Sequence, residues 1–179
     1  MIEEAGSNAP SDETAIVSAQ IGRMPRQPWR VAARCRHGYP TVIVSPSRLS
    51  DGTLFPTHAW LTCPWLAQAM SSAESAGSTA AWARRAATDA TLAAALVQAD
   101  GQLRLARAAE SGRDDACAAV GLAGQRDPLG VKCLHAHAAL TLIGIDDPIG
   151  DAELCKIERD CPDRRCAELC RPIPQERVE

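Results

Sequence analysis

The chain has 179 residues, of which 46% are hydrophobic and 23% are charged. This length suits a single domain, and these proportions exclude collagen-like, fully disordered and membrane-spanning proteins. The formal net charge of −3 gives no reason to expect nucleic-acid binding.

Charge is distributed unevenly along the chain. Residues 1–10 predict a disordered lead, and residues 1–22 contain four acidic residues and no Lys or Arg. Residues 23–60 contain six Arg and one acidic residue. Such a basic block in an acidic protein indicates either an anion-binding face or an ordinary solvated surface.

The first residues also bear on the cellular compartment. They lack the basic start and apolar run of a secretory signal, so we expect a cytoplasmic protein. Disulfides are disfavoured in the cytoplasm. The eight Cys are therefore interpreted as thiols, metal ligands or redox residues.

The first half of the chain predicts one short helix followed by strands. A helix begins after Ser11 and ends near Gln20, before two prolines. Residues 29–35 and the β-branched residues 41–45 predict two strands that pair as a hairpin. Residues 57–62 predict a third, short strand.

The second half predicts helices. They cover residues 64–76, an Ala-rich segment at 78–111 with a possible break at Gly101, residues 131–143, and a final helix from Asp151 to Ile157. The predicted fold class is α+β, with a small antiparallel hairpin or three-stranded sheet near the N-terminus packed on several α-helices. We expect one domain at 11–157, followed by a charged, Cys-rich C-terminal tail at 158–179.

Three short segments concentrate donors for a metal ion. They contain Cys35 and His37, then Cys63, then Cys133 with His135 and His137. Zinc takes four nitrogen or sulfur donors in a tetrahedron, and turns allow close donors to converge. The predicted ligands are Cys35, His37, Cys63 and Cys133, with His135 as a fifth candidate or a supporting partner.

The third segment carries a geometric expectation. If residues 133–143 are helical, Cys133 and His137 share one face. His135 then points about 160° away from them, so the three side chains cannot all bind one ion.

The number of ligands separates three functions. Four protein ligands give a closed, structural zinc site in a binding or scaffold module. Three ligands leave an open position that activates water, which indicates a hydrolase of a phosphorylated or other anionic substrate. The third function is thiol chemistry, redox or nucleophilic, because Arg34 and Lys132 stand beside Cys35 and Cys133 and positive charge lowers a thiol pKa. A further interpretation is that there is no metal or catalytic site and that the thiols are small core residues. For the predicted metal site, iron is the alternative to zinc.

An anion-binding pocket is predicted beside the metal. Its residues are Arg34, Arg48 and Lys132, and its ligand is an anionic small molecule or an acidic protein partner. No stretch is long and apolar enough to span a membrane. The sequence does not indicate an oligomeric state.

A second Cys cluster lies near the C-terminus. It consists of Cys155, Cys161, Cys166 and Cys170. The spacing matches no standard zinc or iron–sulfur pattern. It is interpreted as a second metal or redox site, or as a tail with incidental thiols.

Motifs from several parts of the chain together resemble one known family. They occupy residues 20–26, 31–40, 48–57, 61–64, 131–137 and 147–151. Over about residues 14–155 the chain resembles the bacterial family of domain of unknown function 501, which is frequent in actinobacteria. The resemblance implies a small cytoplasmic protein and no particular activity. The family often has Cys at the position of His37, and an exchange between two zinc donors favours a metal over a nucleophile.

Overall fold

The computed structural model describes residues 13–112 and 114–169. Within these ranges the chain forms seven α-helices and one three-stranded antiparallel sheet. The helices are α1 (Glu13–Ile21), α2 (Pro64–Ser75), α3 (Ser78–Ala86), α4 (Ala90–Glu110), α5 (Leu134–Leu142), α6 (Pro148–Leu154) and α7 (Arg165–Leu169), and the strands are β1 (Arg30–Arg34), β2 (Pro40–Val44) and β3 (Ala59–Leu61). The predicted α+β class, with its sheet near the N-terminus, is confirmed. The predicted disordered lead at 1–10 and the last ten residues of the predicted tail lie outside the described residues.

The sheet has the order β1-β2-β3, and its central strand β2 is buried at all five positions. Ile43 pairs with Val31 on one side and with Trp60 on the other. The β1–β2 turn closes through a 3.0 Å hydrogen bond from the Cys35 amide to the Tyr39 carbonyl oxygen. This hairpin places residues 35–38 at one end of the sheet.

The Ala-rich segment contains two helices rather than one helix broken at a glycine. The break lies at residues 87–89, where the Asp89 carboxylate accepts hydrogen bonds of 3.0 Å from the amides of Thr91 and Leu92. Gly101 lies inside α4. One glycine costs a long helix only about 1 kcal/mol, so a capping Asp outweighs it as a boundary.

Helix α6 begins earlier than the sequence predicts. Asp147 caps it, accepting hydrogen bonds from the amides of Ile149 and Gly150 at 3.0 and 2.8 Å. Pro148 occupies the first turn, where its missing amide proton costs nothing. The predicted start at Asp151 is wrong because this earlier Asp-Pro pair supplies both start signals.

Helix α5 is central to the core, where it packs against β3, α2 and α6. Its residues Leu134, Ala138, Ala139 and Leu140 are at most 1% exposed. The two ends of α5 are thereby held in fixed positions relative to α2 and the sheet. In the described part of the chain, no helix has the length and apolar character needed to cross a membrane.

A fully buried arginine anchors the loop that follows α4. Arg107 pairs with Asp115 at 2.9 Å and donates to the carbonyl oxygens of Pro56, Cys117 and Val120. Each of the three guanidinium nitrogens thus donates to at least one oxygen, as a buried charge requires.

The segment 158–169 packs on the rest of the protein. The Trp65 indole N–H donates to the Glu158 carbonyl oxygen at 2.7 Å, and the Arg165 guanidinium lies 4.9 Å from the Trp65 ring. Cys161 and Cys166 are each 4% exposed. The predicted tail therefore begins as a packed part of the fold as far as residue 169.

Candidate metal centre

Cys133 and His135 contact each other at the start of α5. Cys133 has an extended backbone (φ −156°, ψ 119°) and precedes the helix. Its Sγ atom lies 3.5 Å from Nδ1 of His135. The sequence predicts a shared face for Cys133 and His137 only if the helix includes residue 133, and α5 begins at Leu134, so this condition is not met.

Glu74, at the end of α2, completes a group of three donors. Its Oε1 atom lies 3.1 Å from Nδ1 of His135 and accepts the Leu134 amide proton at 2.6 Å. In the ranges that the structure describes, Glu74, Cys133 and His135 form the group in which three metal-binding atoms all lie within 4.8 Å of one another.

The other ring nitrogen of His135 faces the backbone of α2. Nε2 lies 3.0 Å from the Ala67 carbonyl oxygen and 3.2 Å from the Ser71 hydroxyl. A carbonyl oxygen only accepts hydrogen bonds, so Nε2 carries the proton. In the neutral ring, the lone pair of Nδ1 then points toward Cys133 and Glu74.

The site favours positive charge. The pKa of His135 is raised to about 9, chiefly by its hydrogen bond with Cys133 and further by Glu74, against an opposing effect of burial. Cys133 and Glu74 therefore both stabilise positive charge at Nδ1. A metal cation at this point would meet the same favourable field.

A cavity of about 360 Å³ adjoins the site. Its lining includes Trp60, Leu61, Lys132, Cys133 and His135. The Lys132 side chain is exposed, and its Nζ atom lies 3.4 Å from the Ala123 carbonyl oxygen. The cavity lining thus combines apolar side chains with Lys132 and with His135, whose raised pKa favours its cationic form.

The other predicted metal ligands lie at a different place. Cys35 and His37 are in the β1–β2 turn, and Cys63 precedes α2. Burial raises the pKa of the Cys63 thiol to about 11. Nε2 of His37 lies 3.2 Å from the Cys161 carbonyl oxygen. The structure therefore divides the five predicted ligands between two places, with Cys133 and His135 in one and the other three residues in the second.

The predicted anion-binding residues are also separated. Lys132 lines the cavity, whereas its lining includes neither Arg34 nor Arg48. Arg34 pairs with Glu13 and donates to the Gly38 carbonyl oxygen. Arg48 donates to the Gly52 carbonyl oxygen at 3.2 Å.

The chain matches a known protein family. A family model described as a protein of unknown function, DUF501, matches residues 31–154. The chain belongs to the DUF501 family. The resemblance identified from the motifs is thereby confirmed. No curated protein and no solved structure matches the chain. The description of the DUF501 family names no activity.

Sequence reasoning missed Glu74 of this DUF501 protein. A single Glu on a predicted helix, far from the Cys-x-His segment, carries no spacing signal. Glu74 lies on α2 one helical turn after Ser71. It reaches His135 because α2 packs against α5. His137, by contrast, binds elsewhere, with Nδ1 2.8 Å from the buried Asp147 carboxylate.

Proposed function

We propose that this DUF501 protein binds a zinc ion at Glu74, Cys133 and His135 and presents it to an anionic small molecule in the adjoining cavity. The observation that carries the proposal is the convergence of three zinc-binding atoms within 4.8 Å. They are a thiol sulfur, an imidazole nitrogen and a carboxylate oxygen, the three donor types that proteins use for zinc.

The contacts of His135 support this assignment. A zinc-bound His usually donates its other ring proton to a carbonyl or carboxylate oxygen, which fixes its tautomer and orientation. Nε2 of His135 has such a partner in the Ala67 carbonyl oxygen at 3.0 Å. A metal would replace the proton that the raised pKa of His135 favours on Nδ1, and it would bind the lone pair there.

The number of ligands indicates what the site does. Three protein ligands leave one tetrahedral position open, as in catalytic zinc sites, where zinc lowers the pKa of a bound water so that it loses a proton and becomes a hydroxide nucleophile. Lys132 in the cavity lining complements a negative group. This combination would support hydrolysis of a phosphorylated or other anionic substrate. Without turnover, the same site would act as a ligand-binding module.

Thiol chemistry is the second candidate function. The distance of 3.5 Å between Sγ of Cys133 and Nδ1 of His135 also suits a nucleophilic Cys with its base. Both candidates need a reduced thiol, which fits a cytoplasmic protein. The metal content decides between them.

Elemental analysis tests the proposal. Full-length protein without a His tag, purified anaerobically, should lose one equivalent of zinc, or of iron if iron is the native metal, on Cys133→Ser substitution. Ser is itself a good helix cap, so this variant keeps the start of α5. Cys155→Ser, which replaces an exposed thiol, should retain the metal.

The anionic ligand is tested separately with inorganic phosphate. Lys132→Met should weaken phosphate binding to the zinc-loaded protein without changing its zinc content.

A Cys133→Ser variant with the metal content of the wild type would contradict the proposal and favour thiol chemistry.

A further inference from the structure

Four cysteines from three parts of the chain lie near one another, apart from the centre proposed above. The thiol of Cys63 is within electrostatic range of those of Cys35 and Cys166, and the thiol of Cys166 is within range of those of Cys35 and Cys161. Cys63, Cys161 and Cys166 are 4–5% exposed.

Hydrogen bonds hold these parts of the chain together. At the hairpin turn, the Arg36 amide donates to the Asp160 carboxylate at 2.9 Å, and His37 contacts the Cys161 carbonyl oxygen. The Cys63 amide lies 3.4 Å from the Thr41 carbonyl oxygen of β2. The turn, the start of α2 and the C-terminal segment therefore meet at one end of the sheet.

Hydrogen-bond donors and a cation surround the sulfur atoms. The Gln20 side-chain amide donates to Sγ of Cys166 at 3.4 Å. The backbone amides of Trp65 and Leu66 favour the thiolate form of Cys63. Arg165 is within electrostatic range of the Cys63 and Cys161 thiols. Amide donors to sulfur and a nearby positive charge are what metal-bound thiolates need around them.

We propose that Cys35, Cys63, Cys161 and Cys166 form a second zinc site, a closed Cys₄ site that fastens the C-terminal segment to the hairpin and α2. Four thiolates are a standard structural zinc set. In the described residues no three of these sulfur atoms lie within 4.8 Å of one another. Zinc binding would therefore require these side chains to move closer together, each thiol releasing its proton to solvent.

The site has a different role from the first centre. It has no open position and serves stability rather than chemistry. His37 supports it by contacting the Cys161 backbone. Cys161 and Cys166 lie beyond the family match, which ends at residue 154, so the site is inferred from this chain and not from family membership.

Zinc stoichiometry tests the proposal on the full chain. Wild-type protein purified anaerobically should contain about two equivalents of zinc. Cys63→Ser, which retains a good cap for α2, should contain one fewer. Cys117→Ser is the matched control, because Cys117 is a buried thiol whose Sγ lies 3.6 Å from the Ser47 carbonyl oxygen; it should retain both equivalents.

The variants also distinguish the two sites. Loss of zinc in Cys63→Ser but not in Cys133→Ser would support the Cys₄ site and contradict the first centre, and the reverse would overturn the Cys₄ site. Discovery of disulfides among these four residues in the anaerobic protein would also overturn it.

Hydrogen exchange of the wild-type protein gives a readout that needs no variant. A chelator should speed amide exchange in residues 160–169 and 35–38, because the metal holds them together. Unchanged exchange in these residues, after the zinc has been removed, would overturn the proposal.

Discussion

The Sγ atom of Cys133 lies 3.5 Å from Nδ1 of His135, although two residues this close in sequence would point apart on a regular helix. The contact exists because the Cys133 backbone is extended and α5 begins one residue later. Capping geometry thus converts a Cys-x-His segment into two neighbouring donors. Glu74 then adds the third donor from α2.

Replacing Glu74 with Gln should weaken zinc binding by about tenfold or more. The amide keeps an oxygen that accepts the Leu134 amide proton, so the start of α5 is preserved, but it loses the negative charge that binds the metal. Competition with a chromogenic zinc chelator measures the affinity. Glu110→Gln, which alters a surface pair with Arg30, is the control, and equal affinities in the two variants would contradict the assignment of Glu74.

His135 should titrate with a pKa of about 9 in metal-free protein. Its protonated form is favoured in the folded state, so its contribution to stability is full below the unfolded pKa of about 6.5 and is lost as the pH rises through 9. Histidine NMR signals followed against pH measure this value. Cys133→Ser should bring the pKa down toward 6.5, since the bond with Cys133 is the largest cause of the shift.

Zinc provides the control for this titration. A metal on Nδ1 replaces the proton, so zinc-loaded wild-type protein should show no His135 titration in this range. A pKa near 6.5 in the metal-free wild type, or a titration unaffected by zinc, would contradict the described site.

Two glycines should respond in opposite ways to substitution by alanine. A Cβ at Gly150 would lie 2.3 Å from the His137 carbonyl oxygen and 2.5 Å from Oγ1 of Thr141. Gly150→Ala should therefore destabilise the contact between α5 and α6 by about 1–3 kcal/mol. A Cβ at Gly101 would have no neighbouring atom within 4 Å, so Gly101→Ala should stabilise α4 by about 0.5–1 kcal/mol. Urea unfolding measures both, and equal effects would contradict the close packing at Gly150.

Loss of Arg107 should be costly. Arg107→Ala leaves the buried Asp115 carboxylate and three carbonyl oxygens without their partner, which should cost about 3–5 kcal/mol of unfolding free energy. Arg85 is the control, because its pair with Asp89 is exposed and exposed pairs contribute at most about 1 kcal/mol. Similar losses in Arg107→Ala and Arg85→Ala by chemical denaturation would contradict the anchoring role of Arg107.

The sequence predicts the fold class because each helix or strand is indicated by residues within that element or directly beside it. The β-branched run of β2 and the Cys63-Pro64 start of α2 each specify their own element. The sequence misplaces the break in the Ala-rich segment at Gly101, because capping by Asp89 outweighs one glycine. It misplaces the start of α6 for a similar reason, since Asp147 precedes a proline.

The candidate site is predictable only in part. Cys133 and His135 stand out in the sequence as neighbouring donors, but Glu74 comes from another helix and is positioned by tertiary packing. The sequence alone places Cys161 and Cys166 in a tail. Their burial depends on contacts of Trp65 with the segment 158–169, which no local pattern reveals.

The most direct test of the central claim is the position of the metal in a crystal. Anomalous scattering measured on both sides of the zinc absorption edge should place an ion between Oε1 of Glu74, Sγ of Cys133 and Nδ1 of His135. A crystal of zinc-containing protein with no anomalous peak among these three atoms would contradict the account.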